Sequence, residues 1–180
     1  MCIERSEKRQ KEYDKAYMEM AYAFGKLSYA IRKKVGAVIV SKNDQVISQG
    51  FNGTPHGFCN ICEEVVTKTG LQINYDNEPS KFYDAVNSIQ NGNPHGLSLV
   101  TKRIVLHAET NAICKCAKYH NSTEGATLYV TLSPCIDCAK AIAQAEFARV
   151  VYGELYRNTE GIDFLKQCGI IVEQVNIFEK

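Results

Sequence analysis

At 180 residues the chain has the length of one domain with a sizeable core. Its 21 Lys and Arg against 20 Asp and Glu leave a net charge of +1, which gives no broad electrostatic footprint for nucleic acid, although a local basic pocket stays open. No apolar run reaches the length of a membrane span, Met1 to Arg9 is too charged for a signal peptide, and eight cysteines in that setting point to the reduced cytoplasm and metal binding rather than to disulfides.

In chain order, residues 10–30 carry Tyr13, Tyr17, Met20, Phe24 and Leu27 at spacings of three and four, one apolar face of a helix. Val35 to Val40 follows as a buried-strand pattern, Ser41 to Asp44 as a turn, and Gln45 to Phe51 as the returning strand of a hairpin. Residues 54–103 form a long insertion without a continuous strand pattern, rich in Gly, Pro, Asn and His, with one helix expected over Glu78 to Ile89 and Gly92 as its stop. Residues 107–119 read as a helix, 126–132 as a strand, the stretch from Cys135 to about 145 as a helix, and 149–153 as a strand. A helix at 160–168, stopped by Gly169, and a strand near 170–177 complete the series. Strands alternating with helices imply an α/β layered domain with a mixed sheet.

The chemistry concentrates in His107-Ala108-Glu109 and Pro134-Cys135-Ile136-Asp137-Cys138. Zinc takes Cys sulfur and His nitrogen in a tetrahedron, and three protein ligands (His107, Cys135 and Cys138) leave the fourth position for water. Glu109 is then a spare carboxylate that can move protons. The two parts together match the H-x-E and P-C-x-x-C signature of zinc nucleobase deaminases. Ser133 as N-cap and Pro134 at the first helical position would open a helix at Cys135, placing Cys135 and Cys138 on one face of its first turn. The helix N-terminus would favour both thiolates. His107 and Glu109 can share one site only at or just before the first turn of their helix, because mid-helix residues two apart diverge. A redox pair or half of a structural zinc site is the bland reading of Cys-x-x-Cys, but a structural site has no use for the free acid.

Beyond the metal motif, the chain resembles deoxycytidylate (dCMP) deaminases, the bacteriophage type in particular, of the zinc-dependent cytidine/deoxycytidylate deaminase family. The resemblance rests on Val35-Gly36-Ala37, on Gly50-Phe51-Asn52-Gly53-Thr54-Pro55 and on His107-Ala108-Glu109-Thr110-Asn111-Ala112-Ile113. It rests also on Gly125 through Cys135 and on Cys138 through Gln144. It implies a three-layer cytidine deaminase-like fold, with a central five-stranded mixed sheet and helices on both faces. The activity it implies is hydrolysis of dCMP to dUMP and ammonia, feeding thymidylate synthesis. Glu109 would take a proton from water and deliver it to N3 of the base as hydroxide attacks C4, then help protonate the departing amine. By similarity, the Cys135 N–H, the Ala108 carbonyl and Asn52 would contact the substrate; Ser133 is a further candidate, and Tyr156, following the strand at 149–153, would stack on the base. For Asn52 and Tyr156, an Asn-Gly turn and ordinary packing are the competing readings.

The resemblance further implies a homo-oligomer, commonly a hexamer, activated by dCTP and inhibited by dTTP, with Mg²⁺ accompanying these nucleotides. Gly50, Phe51 and Gly53 are its candidates for the effector contact. A second, structural zinc would need a ligand set such as His56, Cys59, Cys62 and His95, the competing reading being reduced thiols in a loop. Cys114, Cys116 and Cys168 are expected to pack as small apolar residues. Lys33, Lys34, Lys102, Arg103, Lys115 and Lys118 are candidates for the substrate phosphate by position alone. No membrane or nucleic-acid partner is expected, and the location expected is cytoplasmic, in the host cytoplasm for a phage protein. A different deaminase of the same fold, acting on tRNA adenosine, cytosine or cytidine, is the nearest alternative. A noncatalytic zinc- or nucleotide-binding relative is the alternative from another class.

Overall fold

The structure is a computed structural model describing residues 6–178, so the charged stretch at Met1–Arg5 lies outside the described residues. The chain falls into two compact units. One takes in the segments up to Ser28, Val35–Asn52 and from His107 onward; the other joins Tyr29–Lys34 to Gly53–Leu106. Among the described residues, no helix is long and apolar enough to cross a membrane.

The first unit is built on a five-stranded mixed sheet. Its strands are β1 (Gly36–Val40), β2 (Val46–Phe51), β6 (Thr127–Leu132), β7 (Arg149–Glu154) and β8 (Ile171–Gln174), in the order β2-β1-β6-β7-β8. β1 runs antiparallel to both β2 and β6, whereas β6, β7 and β8 are mutually parallel. The period-two alternation of strand side chains divides the core. Ala37, Ile39, Leu128, Val130 and Val150 face helices α3 (Ala108–Lys118), α4 (Ile136–Gln144) and α5 (Glu160–Gln167). Val38, Val40, Tyr129 and Val151 face α1 (Glu7–Gly25) on the other side. The three-layer α/β arrangement expected from the sequence is thus present, with helices on both faces. Met18 of α1 is fully buried in the second layer, worth about 1.5–3 kcal/mol of transfer free energy.

The buried stripe of α1 differs from the expected one. It runs through Asp14, Tyr17, Met18, Ala21 and Gly25, whereas Leu27 lies beyond the helix and is exposed. Two long-range contacts turn the helix this way. The Asp14 carboxylate accepts from both terminal nitrogens of the Arg149 guanidinium at 2.7 Å and from the Tyr129 hydroxyl at 2.7 Å, so a charged residue points inward. Near the other end, α1 packs backbone to backbone on β1. A Cβ at Gly36 would lie 1.9 Å from the Ala21 carbonyl oxygen, so only glycine allows the approach.

The second unit holds strands where the sequence shows no continuous strand pattern. It holds β3 (Glu63–Thr67), β4 (Gln72–Ile73) and β5 (Leu97–Thr101) in the antiparallel order β4-β3-β5. Helix α2 (Pro79–Gln90) buries Phe82 and Val86 with Val65, and Gly92 follows at φ 75°. The strands are hidden from a hydropathy reading because β3 opens on two glutamates. Glu63 is nevertheless fully buried, its carboxylate accepting the Ile31 N–H at 3.1 Å and the Arg32 N–H at 3.2 Å.

Candidate active site

Two helix starts bring the motif together. His107 is the N-cap of α3 in extended conformation, φ −71° and ψ 157°, and Glu109 lies in its first turn, as a shared site requires. Cys135 is itself the N-cap of α4, with Cys138 in the first turn. The expected cap, Ser133, is one step too early. Its N–H donates to the Glu154 carbonyl at 2.8 Å and its hydroxyl accepts the Tyr156 N–H at 2.8 Å, so it serves the end of β7 instead of the helix. Pro134 therefore precedes the cap.

The three expected ligands converge. His107 Nδ1 lies 3.3 Å from Cys138 Sγ and 3.5 Å from Cys135 Sγ. Zinc with Zn–S near 2.3 Å and Zn–N near 2.0–2.1 Å, at tetrahedral angles, spans an N···S edge of about 3.5 Å. The donor set therefore fits the ion in both chemistry and spacing. The two thiols share their protons unevenly, so the helix N-terminus does not favour both thiolates alike. The hydrogen bond from Cys138 and the neighbouring His107 outweigh burial and bring Cys135 down to about 4. Donation to Cys135, together with burial, pushes Cys138 strongly up. His107 is raised by its hydrogen bond to Cys135. Such a cluster shares protons that a cation displaces on binding. Glu109 is buried, 4% exposed, and burial raises its carboxyl above the ordinary range.

Among the described residues, His107, Cys135 and Cys138 form the only such group of three or more His, Cys, Asp or Glu side chains, with ligand atoms within 4.8 Å of one another. The second set is not assembled: His56, Cys59, Cys62 and His95 do not meet in this way. Cys62 is buried, its thiol pushed up to about 11 by desolvation and then by Glu63, while Cys59 is exposed. Of the cysteines expected to pack as apolar residues, Cys116 is buried but Cys114 and Cys168 are exposed.

Asn52 follows β2 and is held from several sides. Its side-chain oxygen accepts the Val35 N–H at 2.9 Å, and its carbonyl accepts the Ser28 hydroxyl at 2.7 Å. Asn111 of α3 donates to the adjoining Phe51 carbonyl at 2.8 Å, bracing the strand end that carries Asn52. Neither Asn52 nor Gly53 has a positive φ, so the pair is not the hairpin turn that its sequence suggests. The Ala108 carbonyl packs over Gly50, where a Cβ would come within 2.2 Å of it. That close approach accounts for Gly50 by packing, and Gly53 pairs with Leu106 in an isolated bridge. Tyr156 is half-buried with Arg157 over its ring at 5.3 Å. Among the phosphate candidates, Lys115 donates to the Gln49 carbonyl at 2.9 Å and lies over the Phe51 ring, Lys102 pairs with Asp76, and Lys118 lies over Tyr119.

Two residues at the site carry no sequence signal as ligands. Thr110 places its hydroxyl 3.7 Å from Cys138 Sγ. Gly161, in the first turn of α5, backs onto the Pro134–Cys135 backbone, where a Cβ would meet the Pro134 oxygen at 2.1 Å. A glycine inside a helical pattern was the one available hint.

Comparison with known proteins agrees with this geometry. The family model for the cytidine and deoxycytidylate deaminase zinc-binding region matches residues 11–154. Deoxycytidylate deaminase of Enterobacteria phage T4 is 39% identical over 178 residues, covering 88% of this chain and 87% of that one. Deoxycytidylate deaminase of Mycobacterium phage D29 is 33% identical over 143 residues, covering 78% and 94%. The crystal structure of dCMP deaminase from cyanophage S-TIM5 in complex with dCMP and dUMP superposes with a TM-score of 0.69 at 38% identity, covering 91% of this chain and 97% of that one.

Proposed function

Because the chain belongs to the cytidine and deoxycytidylate deaminase family, we propose that it hydrolyses dCMP to dUMP and ammonia, with zinc held by His107, Cys135 and Cys138. The observation that carries this reading is the converging His-Cys-Cys set with one buried acid, Glu109, beside it and outside it. Bound zinc supplies Lewis acidity that brings water near neutrality for attack. Glu109 performs the proton work. Its burial raises its affinity for a proton, which suits a carboxyl that must both accept and release one near neutral pH. It takes a proton from the attacking water and passes it to N3 of the cytosine as oxygen adds at C4. It then carries the second proton from that oxygen to the C4 amine, so that ammonia leaves and the C4 carbonyl of dUMP remains. Asn52, Ser133 and Tyr156 orient the nucleotide, with Asn111 holding the strand end behind Asn52.

The substrate follows from the T4 and S-TIM5 likenesses, since each of those proteins is a deaminase of deoxycytidylate. Activation by dCTP, inhibition by dTTP and assembly into a hexamer enter the proposal from family resemblance. Ammonia release measured across dCMP, dCTP, cytidine, deoxycytidine, cytosine and a tRNA tests the substrate, and dCMP is expected to be fastest. No turnover of dCMP by zinc-loaded protein overturns the reading. Glu109→Gln is expected to keep zinc while losing about 10²–10⁴ in rate, and wild-type rates would remove Glu109 from its role.

A further inference from the structure

The two thiol ligands differ in their surroundings. Cys135 is half-exposed at the N-cap of α4, whereas Cys138 is 2% exposed and receives its contacts from the protein. Its polar neighbours are His107, Cys135, Glu109 and the Thr110 hydroxyl, which reaches across from the first turn of α3 at 3.7 Å. A metal-bound thiolate can only accept a hydrogen bond, which fixes the hydroxyl as donor. Lying in the first turn, Thr110 has no preceding helical turn to bond, and its hydroxyl meets a ligand on another helix.

We propose that Thr110 is a positioning residue of the metal centre, its hydroxyl donating to the Cys138 thiolate, orienting that ligand and tightening the hold of the three-residue set on zinc. The inference rests on the reading of His107, Cys135 and Cys138 as zinc ligands. Outer partners of this kind set ligand direction and electron donation, and their loss typically weakens metal binding about 10–100-fold.

Thr110→Val removes the hydroxyl while keeping shape and β-branching, and Thr110→Ser restores the hydroxyl without the methyl. Zinc affinity is read by competition with a chromophoric chelator, with melting of the metal-free proteins as a check on folding. Thr110→Val is expected to bind zinc about tenfold more weakly, and Thr110→Ser to bind as wild type does. With Co²⁺ in place of zinc, Thr110→Val is expected to move the thiolate-to-cobalt charge-transfer band to longer wavelength, because an undonated sulfur lone pair lies higher in energy. Thr110→Ala carries the same test where valine does not pack. Equal zinc affinity and an unmoved cobalt band in Thr110→Val overturn the proposal. So does equal weakening in Thr110→Ser, which would assign the effect to packing. A wild-type protein that holds no zinc overturns the metal-site reading itself and is distinguished from both by that result alone.

Discussion

Replacing Gly161 with alanine sets two effects of opposite sign against each other. Gly161 lies inside α5 without a positive φ, so helix propensity alone favours alanine by about 0.8–1 kcal/mol. The added Cβ, however, would stand 2.1 Å from the Pro134 carbonyl oxygen and 3.0 Å from the carbonyl carbon and oxygen of Cys135. Ordinary contact begins near ~3.5 Å, so α5 or the metal loop must retreat by more than about 1 Å. These are backbone atoms, which cannot rotate aside, and overpacking of this kind costs about 1–3 kcal/mol. Because the nearest atom is backbone at 2.1 Å, the clash stands at the upper end of that range and wins by about 2 kcal/mol, equivalent to a fall in Tm of roughly 4–8 °C for a chain of this size. The displaced loop carries the Cys135 ligand, and a misplacement near 1 Å costs on the order of 10²-fold in rate. Thermal melting of the loaded and metal-free protein, with initial rates of ammonia release, measures both. A variant that melts higher than wild type and turns over normally would refute the close approach.

Cys138→Ala is expected to lose stoichiometric zinc and all turnover; metal analysis showing one ion per chain would contradict the assignment. Asp14→Ala removes one side of a buried pair, and with Glu173 still on Arg149 the loss is expected near the lower end of about 3–5 kcal/mol, read as a shifted urea midpoint. Burial opposes ionisation of Asp14, but hydrogen bonds from Arg149, Tyr129 and Gln10 prevail and hold its carboxyl below the usual range. Stability from this pair is therefore present above the unfolded value of about 3.9 and is lost as pH falls through the lower folded value. A wild-type acid melting curve that matched that of Asp14→Ala would count against the linkage. At subsaturating dCMP, dCTP is expected to raise the rate and dTTP to lower it; flat kinetics with both would remove the regulatory part of the proposal.

The metal site was legible because its information is local. His107 with Glu109, and Cys135 with Cys138, each fall within one helical turn, and helix starts can be read from a few residues. What was not legible depends on distant partners. Asp14 looks like a solvent residue until Arg149 reaches it from β7. Ser133 looks like a cap until Tyr156 donates to its hydroxyl. The strand at Glu63 is disguised by a carboxylate that two backbone N–H groups satisfy. The hairpin, the helices at 107–119 and 160–168 and the strands at 126–132 and 149–153 could be read from local pattern and composition, whereas the parallel pairing of β6 with β7 could not.

His107 and Cys138 stand 31 positions apart and belong to different helices on one face of the sheet. A cation shared between them acts as a removable cross-link on the folded chain, holding α3 against α4. Its contribution scales with the free ion: at a hundred times the dissociation constant it adds about 2.7 kcal/mol to the folded state. A chain that holds the ion is therefore expected to resist proteolysis longer than the metal-free chain, since cleavage of the opened state follows its population.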